Sequence, residues 1–210
     1  MSNFSWLTVL QQTRSIAVIR TTKIAQGRLM AQAVAAGGMQ LIEITWNSDR
    51  PAELIEQLRT ELPNCIIGTG TLLTLDQQKE ALAAGAQFLF TPHVDPVMIS
   101  LARERGIPII PGALTPTEIV TAWQAGASCV KVFPVQAVWG ASYIKSLQAP
   151  LGNIPLIPTG GVTLENAKEF IAAGAIAVGL SGQLFPPQLV ESGNWEAIAQ
   201  LSQNLIQQLV

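Results

Sequence analysis

The feature that most constrains this chain is a strand-then-helix unit that recurs from one end to the other. Short apolar, β-rich runs stand at SIAVIR (15–20), MQLIEIT (39–45), CIIGTG (65–70), QFLFTP (87–92), GIPIIPG (106–112), CVKVFP (129–134) and IPLIPTG (154–160), and an eighth, AIAVGL, runs up to Ser181. Amphipathic stretches such as KIAQGRLMAQAVAAGG and LDQQKEALAAGA separate them, and this alternation of periodicities predicts parallel strands joined by helical crossovers. Several helices end on one phrase: AAGG (35–38), AAGA (83–86), QAGA (124–127) and AAGA (172–175). A glycine there can take the left-handed C-cap conformation and turn the chain directly into the next strand. Thr74, Asp95, Thr115 or Thr117, and Thr163 are the candidate N-caps. Eight such units without a linker predict an α/β fold, a single (β/α)8 TIM barrel forming one domain over residues 1–210, with an N-terminal helical extension before Ser15. The competing arrangement is a doubly wound open sheet, which carries a Gly-rich dinucleotide turn after its first strand. Arg20-Thr21-Thr22-Lys23-Ile24 is no such turn.

Composition narrows the function classes. Only 12% of the 210 residues are charged and 49% are hydrophobic, against about 25% charged in an ordinary soluble domain. Disorder is excluded, because so apolar a chain buries enough surface to offset its ordering entropy. The charge-free runs from Ser146 to Leu164 and from Phe170 to Val190 are long enough to span a bilayer. Prolines and glycines interrupt both, which would leave amides unsatisfied in lipid, so no membrane span is expected. The amino terminus has no basic residue before Arg14 and reads as no secretory signal, so a cytoplasmic setting is expected, with Cys65 and Cys129 as buried reduced thiols. One histidine, His93, and two separated cysteines build no ordinary zinc site. A net charge of -2 without a Lys/Arg cluster argues against nucleic acid.

Barrel enzymes work at the carboxyl ends of their strands, so polar residues there carry the functional information. Only Arg20, Glu43 and Lys131 are charges within strand patterns. Side chains alternate along a strand, so Leu41, Glu43 and Thr45 share one face, and Cys129, Lys131 and Phe133 another. If both faces point inward, an amine and a carboxylate converge on one cavity. One reading is a buried ion pair tying two strands together, a costly arrangement. The other is a lysine nucleophile: the apolar neighbours in CVKVF disfavour the ammonium, and a neutral amine attacks a ketone to form a Schiff base. IPTGG (157–161) and VGLSG (178–182) follow the seventh and eighth strands, where glycines let backbone amides approach a phosphate. GTGT (68–71) and TPH (91–93) add hydroxyls and one imidazole to the same rim; His93 reads as a packing or supporting residue more than a catalytic one.

Taken in order, AGGMQLIEIT, IIGTGTLL, AGAQFLFTPH, IPIIPGALTPTE, AGASCVKVFP, IPTGGV and AVGLSG cover nearly the whole chain. In combination they resemble the 2-keto-3-deoxy-6-phosphogluconate (KDPG) and 4-hydroxy-2-oxoglutarate (KHG) aldolases, a family of class I Schiff-base aldolases with related galactonate enzymes. The resemblance implies that Lys131 is the Schiff-base lysine and Glu43 the general acid/base. It implies Thr71, Pro92 and Phe133 at the pyruvate end, and Thr159, Gly160, Gly161, Ser181 and Gly182 toward the phosphate. It further implies a phosphorylated keto-acid substrate, no metal or other cofactor, and a homotrimer. Asn47 stands where some members carry an arginine for the substrate carboxylate, and Arg20 is the candidate substitute; the usual Gly-Ser order reads Ser181-Gly182. The implied reaction is cleavage of KDPG to pyruvate and glyceraldehyde 3-phosphate in the Entner-Doudoroff pathway, with KHG giving pyruvate and glyoxylate. The alternatives are 2-keto-3-deoxy-6-phosphogalactonate cleavage, a phosphosugar isomerase or epimerase, and a non-catalytic phosphometabolite-binding barrel, since a fold alone does not specify chemistry.

Overall fold

The computed structural model describes residues 5–209. Residues 1–4 of the expected amino-terminal extension, and Val210, lie outside the described residues. Helix α1 (Trp6–Thr13) leads into β1 (Ser15–Ile19), followed by α2 (Ile24–Ala36), β2 (Leu41–Thr45), α3 (Pro51–Glu61), β3 (Ile66–Gly70) and α4 (Leu75–Ala83). The chain continues through β4 (Leu89–Phe90), α5 (Pro96–Glu104), β5 (Ile109–Ile110), β6 (Gly112–Ala113), α6 (Pro116–Ala125), β7 (Val130–Val132) and α7 (Ala141–Leu151). It ends with β8 (Leu156–Pro158), α8 (Ala167–Ala172), β9 (Val178–Leu180), α9 (Pro187–Ser192) and α10 (Trp195–Leu209).

The result is an α/β fold around a parallel six-stranded sheet ordered β5-β4-β3-β2-β1-β9, beside a parallel three-stranded sheet ordered β6-β7-β8. The predicted fifth strand is thus two short pieces, and Pro111 is the reason: it has no N–H to give a ladder. Its carbonyl still accepts from Lys131 N–H at 2.9 Å, so the chain pairs with β4 before the proline and with β7 after it. An isolated parallel bridge, Thr159 to Gly179, and the Ile176 N–H to Leu156 carbonyl bond at 3.0 Å link the β8 and β9 segments.

Two buried clusters follow from the strand alternation. The larger lies between strands and helices and includes Ile42, Ile44, Leu54, Met98, Ile119 and Ile198. The smaller gathers Ile16, Leu41, Phe88, Cys129, Ile157 and Ala177, residues at or just before the amino ends of their strands, together with Val9 and Leu10 of α1. Trp6 packs beside Phe88 with ring centroids 5.2 Å apart. The polar positions of the strands are thereby left to their carboxyl ends.

The caps behave largely as the sequence predicts. Thr74 accepts from the Gln77 N–H, Asp95 from Val97 and Met98, and Thr115 forms a reciprocal capping box with Glu118, leaving Thr117 inside α6. Thr163 instead exchanges hydrogen bonds with Asn166, and α8 begins only after that turn. In AAGG, the left-handed conformation falls to Gly38, with φ 93°. Gly37 serves packing: a β-carbon there would collide with the Ala199 carbonyl and lie 2.7 Å from the Ser202 β-carbon, so its absence lets α10 close on α2. Among the described residues no helix is long and apolar enough to cross a membrane. Gly37→Val is expected to destabilise the fold by about 1–3 kcal/mol through overpacking, measured as a lower urea midpoint; an unchanged midpoint would mean that α10 does not depend on this close approach.

Candidate active site

The carboxyl ends of β1, β2, β3, β7, β8 and β9 surround a cavity of about 600 Å³. Its wall includes Arg20, Glu43, Thr71, Pro92, Lys131, Phe133, Thr159, Gly160, Gly161, Ser181 and Gly182. These residues come from loops and strands far apart in sequence, and all were singled out by it. Asn47 and His93 are not in that wall. Glu43 and Thr45 take the inward positions of β2; the strand then ends, the Ser48 N–H closes a turn onto the Thr45 carbonyl at 2.9 Å, and Asn47 is carried out to solvent. This corrects the expectation that Asn47 faces the substrate. His93 offers its backbone carbonyl to the Thr91 hydroxyl at 2.6 Å, a contact that shapes the loop after β4.

Lys131 is 7% exposed and Glu43 is 2% exposed. Among the described residues no ion pair within 4.0 Å and no hydrogen bond reaches either side chain, so they face a common space and do not cancel one another. The structure thus gives no support to a direct buried ion pair. The Lys131 Nζ lies 4.6 Å from the centroid of the Phe133 ring and 5.8 Å from that of Phe90. Burial lowers the Lys131 amine from the ordinary lysine value, opposed by the charge of Glu43 and assisted by Arg20. Burial likewise raises the Glu43 carboxyl, against the pull of Lys131 and Arg20. Both groups are moved toward their neutral forms, the amine to a nucleophile and the carboxyl to an acid that can give and take a proton.

Room for Glu43 is made by backbone. A β-carbon on Gly70, which pairs with Thr45 across β2 and β3, would coincide with the Glu43 carboxyl. The next residue, Thr71, holds φ at 61°, a costly conformation for a β-branched side chain and one concentrated at functional sites. At the other side of the cavity, Gly160 and Gly161 have φ 79° and 91°. Among the described residues the amides of Gly161, Val162, Ser181, Gly182 and Gln183 find no acceptor in the protein, which leaves N–H groups available to an anion.

Thr45, Gln136, Val162, Thr163 and Gln183 also line the cavity without having been proposed as site residues. Gln183 follows the last glycine turn directly, a proximity visible in the sequence. Gln136 is brought in by a single turn of 3-10 helix, Val135–Val138, and its side chain lies where a β-carbon on Gly161 would be; no periodicity marks it.

A desolvated amine facing a buried carboxyl is chemistry for making and breaking bonds next to a carbonyl. It suits one class, the carbon-carbon lyases that act through a lysine imine. The sequence matches the aldolase family described as KDPG and KHG aldolase over residues 7–201. A 2-dehydro-3-deoxy-phosphogluconate aldolase of Treponema pallidum (strain Nichols) is 32% identical over 198 residues, spanning 94% of each chain. A crystal structure of KDPG aldolase from Legionella pneumophila, with pyruvate captured at low pH as a covalent carbinolamine, superimposes with a TM-score of 0.87 at 26% identity, covering 95% of this chain and 97% of that one. A cube-shaped protein cage designed by fusing symmetric oligomeric domains matches with a TM-score of 0.84 at 32% identity, over 94% of this chain and 72% of the cage chain. This chain belongs to the KDPG and KHG aldolase family.

The depressed amine gives a direct prediction. Lysine-specific labelling followed by peptide mapping should show Lys131 becoming reactive at a pH below the ordinary lysine value of about 10.4, because a lowered pKa exposes the neutral amine earlier as pH rises. A midpoint at or above that value would overturn the desolvation argument.

Proposed function

We infer that this protein cleaves 2-keto-3-deoxy-6-phosphogluconate to pyruvate and glyceraldehyde 3-phosphate, and 4-hydroxy-2-oxoglutarate to pyruvate and glyoxylate, through an imine on Lys131. The observation that carries this is the joint burial of Lys131 and Glu43 in one cavity without an ion pair between them, in a chain of this family.

Neutral Lys131 attacks the C2 ketone, and Glu43 relays protons as the carbinolamine loses water to an iminium. The iminium draws electrons toward nitrogen. Glu43 accepts the C4 hydroxyl proton, the C3–C4 bond breaks, and the aldehyde leaves. The remaining enamine takes a proton at C3, and water hydrolyses the resulting iminium to pyruvate and the free amine. Thr71, Pro92 and Phe133 hold the pyruvate end. The phosphate sits against Thr159, Gly160, Gly161, Ser181 and Gly182, where unpaired amides favour an anion, and that remote binding orients the scissile bond. Arg20 takes the substrate carboxylate, substituting for the arginine that some family members carry where this chain has Asn47, consistent with its position in the cavity wall. No metal or other cofactor enters these steps.

A second reading, 2-keto-3-deoxy-6-phosphogalactonate cleavage, is kept open by Arg20 lining the cavity while Asn47 does not: a carboxylate contact from the end of β1 would alter the contacts on that side of the sugar chain. A side-by-side retro-aldol assay on the gluconate, galactonate and hydroxyoxoglutarate substrates distinguishes the readings.

Borohydride reduction with pyruvate present should leave a stable adduct on Lys131. An adduct elsewhere, or none, would sink the mechanism in favour of an isomerase or a non-catalytic phosphometabolite-binding protein. Glu43→Gln should lower the turnover number by roughly 10²–10⁴; near-normal turnover removes Glu43 from proton transfer.

The two sheets are read as one (β/α)8 barrel and one domain, with α1 as an added helix under its amino-terminal end. Support comes from the Thr159–Gly179 bridge, from Pro111 as the only residue between β5 and β6, and from the interior cluster drawing on strands of both sheets. A homotrimer fits the exposed Leu73, Val97 and Trp139, which follow the carboxyl ends of β3, β4 and β7. Substrates that are central metabolites, and the free buried Cys65 and Cys129, fit the cytoplasm.

A further inference from the structure

A chain of hydroxyls ends at the cavity wall beside Glu43. Thr45 is 1% exposed, Ser48 is 9% exposed, and their oxygens lie 3.1 Å apart. The Ser48 Oγ also accepts from the Thr21 N–H at 3.2 Å. Thr21 turns its own hydroxyl away, donating to the Lys23 carbonyl at 2.9 Å while accepting from the Lys23 N–H at 3.1 Å.

Each hydroxyl has one hydrogen, and the bookkeeping fixes its direction. If Thr45 donated to Ser48, the Ser48 hydrogen would have no acceptor inside a buried turn, and an unmatched buried donor is unfavourable. In the opposite sense Ser48 donates to Thr45, and the remaining hydrogen, on Thr45, has the cavity as its outlet. Thr45 is part of the cavity wall and shares its face of β2 with Glu43. The titratable groups of that wall are Glu43, Arg20 at the end of β1 and Lys131 on β7, and neither base makes a hydrogen bond to the Glu43 carboxyl.

The geometry points to Thr45 as a positioning residue for proton transfer, its hydroxyl donating to the Glu43 carboxylate through one water in the cavity. The inference rests on the aldolase reading of this site and adds a group that the reading does not use. A donor to the ionised form favours it, so Thr45 offsets part of the burial that works against the carboxylate. Ser48, held by the Thr21 amide, sets the direction of the Thr45 hydrogen and couples the loop after β1 to the proton-transfer step.

The test is the pH dependence of turnover in Thr45→Val, Thr45→Ser and Ser48→Ala, with pyruvate trapping by borohydride as a parallel readout. Thr45→Val keeps the shape and removes the hydrogen bond; it should lower kcat roughly tenfold or more, change KM little, and move the acid limb of the profile up by about one pH unit. Thr45→Ser should restore both, and Ser48→Ala should shift the limb in the same direction by less. A Thr45→Val profile that coincides with the unaltered protein overturns the proposal, as does a Thr45→Ser variant no better than Thr45→Val, which would make packing the cause. If Thr45→Val does not fold, the Ser48→Ala profile decides by itself: an unmoved limb overturns the proposal. Failure of the unaltered protein to trap pyruvate overturns the aldolase reading instead, before any variant is compared.

Discussion

Removing an ionisable amine and a carboxyl from water is unfavourable, by several kcal/mol for each ion left without compensation. The rest of the catalytic face is arranged around that cost. Lys131 and Glu43 are nearly fully buried, yet they stand across open space without joining in a salt bridge. A direct bridge would fix both in their charged forms and stop the chemistry. Separation leaves desolvation as the dominant influence on each, and desolvation favours the neutral amine. The aromatic ring of Phe133 and the missing side chain of Gly70 are the means: one covers the amine, the other makes space for the carboxyl.

The scaffold meets this requirement by dividing labour along its strands. Apolar residues near the amino ends of the strands pack with α1, while the cavity is lined by strand residues such as Glu43, Thr45 and Lys131 and by the loops that follow. Strands as short as two residues suffice, because each pairs in parallel with at least one neighbour. The scarcity of charge follows from the same plan. The strands carry no charge except Glu43 and Lys131, and the four ion pairs among the described residues all lie at the surface.

Much of this was legible in the sequence, and the limits of legibility have physical causes. Lys131 and Glu43 stood out because a charge in an apolar strand run has few structural explanations. Thr74, Asp95 and Thr115 were readable as caps because capping depends on local bonds. Asn47 was placed at the substrate by resemblance to relatives, and the end of β2 at Thr45 turned it away; where a strand stops depends on partners that lie elsewhere in the chain. The two glycines of AAGG looked alike in sequence but serve different ends, one a backbone conformation and the other a helix contact with a segment more than 150 residues away. Gln136 was missed because it reaches the cavity through an irregular turn with no period to detect.

The covalent attachment at Lys131 has a kinetic meaning beyond the chemistry of the step. Trp6, Val9 and Leu10 pack against the apolar interior cluster, on the side away from the loops that line the cavity. In the proposed reaction the aldehyde fragment lies toward the glycine turns, while the pyruvate fragment is tethered to Lys131. In that reaction the covalent bond to Lys131 makes the aldehyde depart first and pyruvate last, after hydrolysis, and in the synthetic direction pyruvate must load before any acceptor aldehyde.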